Sequence, residues 1–489
     1  MTGERTWDAV VVGSGPNGLA AALTLAAAGR SVLVLEAQDQ LGGGLRTEPG
    51  IVPGLLHDHC ATVLALVPVS PFFRTSGLLN RLAFVQPAAA LAHPLDDGSA
   101  VLLWPELERT AAGLASDAEA YRRAMRPLLD EGLPLLAALL SPAPGMTRVP
   151  GSRVPWSALL RFALLGLQPA TRLFARFRTE RARALLAGLA AHSTLPLDWA
   201  PSAAFAVVLA LCAHLAGWPL ARGGSGSLAA SMADALLARG GALRCGSPVR
   251  RLEDLPPARA ILFDLVPRGV LAVTGERWPA WYRQRLARFR PAPGVFKVDW
   301  VVRDGVPWRA PACDLAGTVH LGGTAAEIAA AERAVVNGQM PDRPFVILVQ
   351  PSRFDRSRAP AGCEVVWAYC HVPSDWDGDA TERIERQIER FAPGFRARVV
   401  ARRIWRPRDL ERMNPNLVGG DLTGGWPTLT QLFTRPSWRP WPPYRTPDPM
   451  LFLCSAATPP GGGVHGMCGY WAARYADRWL QRLERLGTS

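Results

Sequence analysis

Apolar and polar positions fall in blocks along this chain, and the first block is the most sharply drawn. Ala9–Gly13 is an unbroken apolar run, as expected of a strand covered on both faces. Asn17–Ala28 is rich in Ala and Leu and ends at Gly29, which predicts a helix with a glycine stop. Ser31–Glu36 is a second apolar run closed by an acid. The block therefore predicts a βαβ beginning. From about Phe72 to Leu220 the pattern changes to long Leu/Ala/Arg helices, among them the apolar run Ala203–Ala221, which reads as a buried helix. "RGGSGSLAASMADALLARGG" predicts a glycine turn and a helix, followed by a strand over Leu243–Leu252. The runs "ARAILFDLVP", "GVFKVDWVV", "PFVILVQP" and "EVVWAYCHVP" read as strands, and "TERIERQIERFAP" as a helix with Ile384 and Ile388 on one face. Trp426–Pro449 is loop-like, and the chain then closes with strand, glycine loop and helix.

The glycines between the first strand and helix carry the first chemistry. Gly13, Gly15 and Gly18 form G-x-G-x-x-G, and Glu36 follows 18 residues after the last of them. The first glycine permits the tight turn, the second lets backbone approach a pyrophosphate, and the third lets helix and strand pack closely. Free N–H groups at the helix start suit phosphate, and Glu36 can accept hydrogen bonds from a ribose. No second such fingerprint follows a strand, which argues against a separate NAD(P) domain.

Composition narrows the alternatives. With 489 residues and 49% hydrophobic content, the chain is globular and long enough for two or three domains. Its net charge of +13 comes almost wholly from arginine, because Lys297 is the one lysine. The arginines are scattered, so nucleic-acid binding is not expected. Arg161, Arg172, Arg176, Arg178, Arg181 and Arg183 lie among Leu and Phe. A solvated helix face is the favoured reading, and peripheral membrane contact is left open. Eight cysteines show no C-x-x-C, and His57 and His59 lack a third ligand, so no metal site is expected. Glu4 and Asp8 flank the opening run where a secretion signal would be cationic, which points to a cytoplasmic protein.

"LEAQDQLGGGLRT" follows Glu36 directly, and its Gly42–Gly44 with Arg46 and Thr47 resembles the second signature of FAD enzymes of the amine oxidase and carotenoid desaturase superfamily. The closing "LFLCSAATPPGGGVHGMCGYWAARYA" is similar to the C-terminal signature of phytoene dehydrogenase-related oxidoreductases, which include carotenoid desaturases and isomerases and retinol saturases. "RMNPNLVGGDLTGG" and "GTVHLGGT" also resemble a bacterial branch of that group. The resemblance implies an α/β fold: a Rossmann-like FAD-binding domain of the glutathione-reductase and amine-oxidase type with an interleaved α+β substrate domain. Residues 1–71, 220–302 and 449–489 would form the first domain, and 72–219 with 303–448 the second. It implies FAD held by Gly13, Gly15, Pro16, Asn17, Gly18, Glu36, Ala37, Gly43, Gly44, Leu45, Arg46, Val249, Gly462, Gly463 and Val464. Gln38 stands where the superfamily often has arginine, and Ser455–Ala457 depart from the usual glycine and acid.

Two residues are candidates for catalysis. Lys297 shares a strand face with Asp299, and its segment resembles the amine oxidase strand whose lysine approaches the flavin; a plain ion pair with Asp299 is the competing reading. His465 is a candidate base or flavin hydrogen-bond partner, against a loop histidine bonded to backbone. The implied activity is desaturation of a hydrophobic alkene, polyene or lipid-like molecule, with oxygen, a quinone or another oxidant as electron acceptor. Isomerisation or saturation through reduced flavin, amine oxidation and a non-catalytic flavoprotein scaffold are the alternatives, and a homo-oligomer is left open. Amine oxidases place one of a substrate-flanking aromatic pair at about Gly463 or Val464, so the resemblance implies a broad, greasy substrate where these are small, and Trp426, Phe433, Trp438 and Trp441 are candidates to line its tunnel.

Overall fold

A computed structural model of the chain describes residues 6–142, 154–438 and 441–487. Its organising element is β1 (Trp7–Val12), which leads through the glycine turn into α1 (Pro16–Ala27) and then β2 (Val32–Leu35). Four more elements complete this layer: α2 (Gly226–Leu237), β3 (Ala242–Arg244), β4 (Ala258–Phe263) and β5 (Leu451–Leu453), followed by α3 (Met467–Gly487). The strands pair in parallel in the order β5-β4-β1-β2-β3. β1 lies at the centre, which is why its apolar run is continuous rather than alternating. Both α2 and α3 pack on α1. The approach of α3 is so close that a Cβ at Gly469 would overlap the Asn17 carbonyl. Arg30 ties the same helices together through Asp477 and Glu484.

A second sheet of seven strands lies beside the first. Its order is Val399–Trp405, Gly294–Arg303, Cys363–Val372, Val346–Val349, Ala316–Leu321, Ala89–Pro94 and Ala100–Leu103. Pairing is antiparallel except between Ala316–Leu321 and Ala89–Pro94, where it is parallel. Helices drawn from Ala118–Ala216 pack with this sheet around a common apolar core. Ile384 and Ile388 are buried as the helical spacing predicts.

The structure corrects four details of the pattern. Ala89–Pro94 and Ala100–Leu103 are strands inside a region that reads as helical, because the Ala-rich sequence "AALAHP" is decided by its buried sheet partners rather than by propensity. The strand expected over Leu243–Leu252 stops at Arg244, where Gly246 at φ +60° and Pro248 turn the chain; Val249 is therefore not on a strand. Gly294–Arg303 belongs to the seven-stranded sheet, so 294–302 joins the second layer and not the nucleotide-binding one. The arginine-rich stretch is three helices, Trp156–Gly166, Ala170–Phe174 and Glu180–Ala191. Arg181 and Arg183 bond to backbone inside the fold, while Arg161, Arg172, Arg176 and Arg178 are exposed. Ser202–Ala216 is a buried helix, and no helix among the described residues is long and apolar enough to cross a membrane.

Candidate functional site

A cleft of about 470 Å³ opens at the carboxyl ends of β1, β2 and β4, the edge at which open parallel sheets bind ligands. Every residue expected at the cofactor lines it, except Gly18. Gly18 lies behind the wall, where a Cβ would overlap the Gly13 carbonyl, so its glycine identity serves the packing of helix on strand. Gly13 turns the chain at φ +100°, a conformation that side chains with a Cβ avoid. Gly15 caps helix α1, with Pro16 in its first turn and no side-chain cap; Pro16 has no N–H and Gly18 N is bonded to Asp264, so the Gly15 and Asn17 N–H groups are the ones at the cleft wall.

Polar groups surround this end. The Glu36 carboxylate accepts from Ser14 N (2.9 Å), Ser14 Oγ (2.6 Å) and Gln38 N (3.0 Å), which fixes it at the tip of β2. Arg46 donates to the carbonyls of Gly43 (3.2 Å) and Met413 (2.7 Å). Asn17 Oδ1 is buried in the wall with no partner among the described residues. The segment Met413–Leu417 and Ser247, absent from the expected set, also line the cleft.

Asp264, which also lines the cleft, is not found by sequence reasoning; its only signal is an acid closing the apolar run "AILF" at the end of β4. It accepts from Gly18 N at 2.9 Å, and a Cβ on Gly15 would stand 2.6 Å from its Oδ2. Burial, helped by the nearby Glu36 charge and opposed by the Gly18 N–H, pushes its carboxyl up to about 7. The glycine turn is thus faced by a carboxyl that stays largely neutral up to that pH.

The cleft continues onto one face of the seven-stranded sheet. Thr318, Val349 and Trp367 are cross-strand partners in one row, and His320, Ile347 and Tyr369 form the next. All of these except His320 line the cleft, with Thr62–Leu66, His192, Leu209 and Trp218 around them. Trp367 and Tyr369 stack, 5.9 Å between centroids. Behind them a buried chain runs from Arg358 to Asp58 (2.6 Å), Thr62 to Asp58 (2.7 Å) and Trp367 Nε1 to Thr62 Oγ1 (3.0 Å). Burial raises the Asp58 carboxyl, but Arg358 and the Thr47 and Thr62 hydroxyls outweigh it and hold the carboxyl below its usual range.

Lys297 sits one strand beyond Tyr369 on the same face, buried and outside the cleft wall. Its ammonium pairs with Asp299, bonds the Asp58 carbonyl at 3.2 Å and lies 5.2 Å from the Trp367 ring centre. Burial pushes Asp299 up, but Lys297 and His57 more than reverse this and leave it strongly acidic. The ion pair named as the competing reading is the contact present. His465 is also off the wall. Its Nδ1 accepts from Met467 N (3.0 Å), so its Nε2–H donates to Gly461 O (3.1 Å). Both ring nitrogens are spent on backbone, and burial pushes its pKa down to about 4, so the ring is a loop fastener rather than a base. The tunnel aromatics are placed elsewhere: Trp426 packs on Trp199, Trp441 on Trp281 and Tyr282, and Phe433 and Trp438 are exposed. His59 is tied to Glu48 at 2.8 Å, and no metal-binding cluster occurs among the described residues.

Comparison with known proteins agrees with this geometry. Residues 11–82 match the NAD(P)-binding Rossmann-like domain family. "Pyridine nucleotide-disulfide oxidoreductase domain-containing protein 2" of Rattus norvegicus is 25% identical, over 98% of this chain and 94% of its own length. "Hydroxyneurosporene desaturase" of Cereibacter sphaeroides is 33% identical over half of each chain, 50% and 50%. The structure of putrescine oxidase bound to putrescine superposes with a TM-score of 0.59 at 17% identity, covering 98% of this chain and 99% of that one. The fold, the cleft at the strand ends and these relatives together make the chain an oxidoreductase built on a Rossmann-type dinucleotide-binding domain.

Proposed function

We propose that the cofactor is FAD and that the chain dehydrogenates a hydrophobic alkene, polyene or lipid-like molecule, in the manner of phytoene desaturases. One observation carries the reading: a single cleft joins the glycine turn of β1–α1 to the largely apolar face of the seven-stranded sheet. The residues present fit the dinucleotide. Gly13 and Gly15 leave the backbone bare, the Gly15 and Asn17 N–H groups at the start of α1 would face a pyrophosphate, and Glu36 stands where a ribose would reach it. Asn17 Oδ1, buried and unpartnered, is a polar atom that a bound ligand would satisfy. The second glycine segment, Gly43–Arg46, and the returning loop Gly462–Val464 border the same cleft and favour a flavin over a bare nicotinamide nucleotide.

When bound, the flavin supplies the hydride-accepting atom. The protein's part is to orient and to keep dry. Thr62–Leu66 and the sheet face Thr318, Ile347, Val349, Trp367 and Tyr369 enclose the substrate with aliphatic and aromatic surface. Neither Lys297 nor His465 borders that space, so neither is placed to take the proton that is lost with the hydride. The named activity of the desaturase relative agrees with this. Amine oxidation is favoured by the likeness to putrescine oxidase, but the sheet end of the cleft has no carboxylate among its described residues to receive an ammonium. Oxygen, a quinone or another oxidant would regenerate the flavin.

The helix Trp156–Gly166 supports a further part of the proposal, contact with an anionic membrane surface from which such a substrate would come. Trp156, Leu160 and Leu164 share one face and are 77%, 61% and 63% exposed, with exposed Arg161, Arg172 and Arg176 nearby in the chain. The test of the proposal is an absorbance spectrum of the purified protein followed by anaerobic addition of a polyene. Bound flavin that bleaches supports dehydrogenation. Flavin that bleaches only with a primary amine supports the oxidase, turnover only after prior reduction supports the isomerase or saturase, and absence of flavin defeats the proposal.

A further inference from the structure

The sheet end of the cleft is apolar except at a few points, and two of these are not explained by the fold. Thr318 is 2% exposed and lines the cleft, yet its Oγ1 has no hydrogen-bond partner among the described residues. A buried hydroxyl without a partner is destabilising, so an orphan of this kind on a cleft wall marks a place where a ligand atom belongs. His192 lines the same cleft from the C-cap of helix Glu180–Ala191.

The orientation of His192 is set from behind. Its Nε2 meets His320 Nε2 at 2.9 Å, and His320 stands two residues from Thr318 on the same strand and hence on the same sheet face. Burial pushes His192 down to about 3 and His320 well below its usual value, so both rings are neutral and one donates to the other. His320 Nδ1 is buried against Gly188 without a partner. A stranded lone pair is tolerated more readily than a stranded N–H, so the His320 proton belongs on Nε2, donated to His192. His192 then carries its own proton on Nδ1, the nitrogen left for the cleft. His320 is in this sense a positioning residue: it fixes which tautomer His192 presents.

Resting on the FAD dehydrogenase reading, we infer that the substrate is a hydrophobic molecule bearing one uncharged oxygen function, an alcohol or a carbonyl, held by Thr318 and His192. Two neutral hydrogen-bonding groups in an apolar wall match such an oxygen and offer no counter-charge to a carboxylate or an ammonium. Lys297, the nearest cation on that sheet face, is already committed to Asp299. The oxygen would anchor the chain of the substrate at one end and thereby decide which carbon lies over the flavin.

The test uses the flavin-loaded protein and displacement of Nile red, a neutral dye, by 1-dodecanol, dodecanal, dodecane and dodecylamine. Thr318→Val keeps the shape and removes the hydroxyl, and His192→Phe removes the ring nitrogens. Each is expected to lower the affinity for dodecanol relative to dodecane about tenfold, with dodecane itself unaffected and with Thr318→Ser restoring the wild-type ratio. Dodecanal behaving as dodecanol assigns the shared acceptor oxygen; loss for dodecanol alone assigns the hydroxyl. An unchanged dodecanol to dodecane ratio in both variants, each still carrying flavin and binding Nile red, overturns the inference. So does a wild-type preference for dodecylamine. Absence of flavin would defeat the underlying reading instead, because the ratio is read from the dye and not from turnover.

Discussion

Replacing Asp264 by Asn should change the way stability depends on pH more than it changes stability itself. In the native protein burial holds this carboxyl at about 7 against an ordinary value of 3.8, with Glu36 adding to the shift and the Gly18 N–H opposing it. A carboxyl raised on folding is a group that the native state keeps protonated. Its contribution is fully present below pH 3.8, is lost as pH rises towards 7, and falls no further above that. Each pH unit in that window is worth about 1.4 kcal/mol, so between pH 5 and pH 8 the wild type should lose about 3 kcal/mol through this one side chain. Asparagine does not titrate, and its amide oxygen can still accept from Gly18 N, whose present bond is 2.9 Å. Urea unfolding of flavin-free wild type and Asp264→Asn at a series of pH values is the assay, read as the difference between the two proteins so that other titrating groups cancel. The difference should widen by about 3 kcal/mol in favour of the variant from pH 5 to 8. Parallel profiles would show that the carboxyl is ionised throughout and that the reasoning about its burial is wrong.

Gly18→Ala places a methyl group on the Gly13 carbonyl and should abolish flavin retention, checked by the absorbance of the purified protein; a fully yellow variant would refute the packing role. Lys297→Met leaves the Asp299 carboxylate buried without its cation and should cost about 3 kcal/mol in urea unfolding. Lys297→Met/Asp299→Asn should recover most of this, whereas undiminished stability with slowed flavin reduction would restore a role at the flavin. Leu160→Glu/Leu164→Glu on the exposed helix face should release the protein from vesicles containing phosphatidylserine in a sedimentation assay while leaving its flavin content unchanged; equal sedimentation would exclude that face.

How far the sequence could be read depended on whether a constraint was local. β1, α1 and β2 were legible because three glycines, two apolar runs and an acid lie within 30 residues, and each has one physical purpose. Gly462–Val464 and Gly43–Arg46 were legible through resemblance, and both border the cleft. Asp264 was not, because an acid at a strand end looks like any other until β4 is seen to lie beside β1. His192 and Thr318 were hidden for the same reason: 126 residues separate them, and only the sheet register and His320 bring them to one wall. Lys297 is the opposite case. Its rarity drew attention, yet its two-residue spacing from Asp299, which was visible throughout, was the better guide to its contact. Strands such as Ala89–Pro94 escaped because alanine has little preference for a sheet, and tertiary pairing decides.

The nucleotide-binding sheet sets β1 next to β4 and β4 next to β5, so segments about 250 and 190 residues apart must be zipped together in parallel register. Pairings of such long sequence separation form late and slowly, since the intervening loop must be closed before any contact repays it. During synthesis β1 therefore waits with one edge bare until Ala258–Phe263 has emerged, and that strand in turn waits for Leu451–Leu453. A nascent chain halted upstream of that point has no complete cradle, which makes cofactor loading an event of the finished polypeptide and makes the unfinished one a client for chaperones.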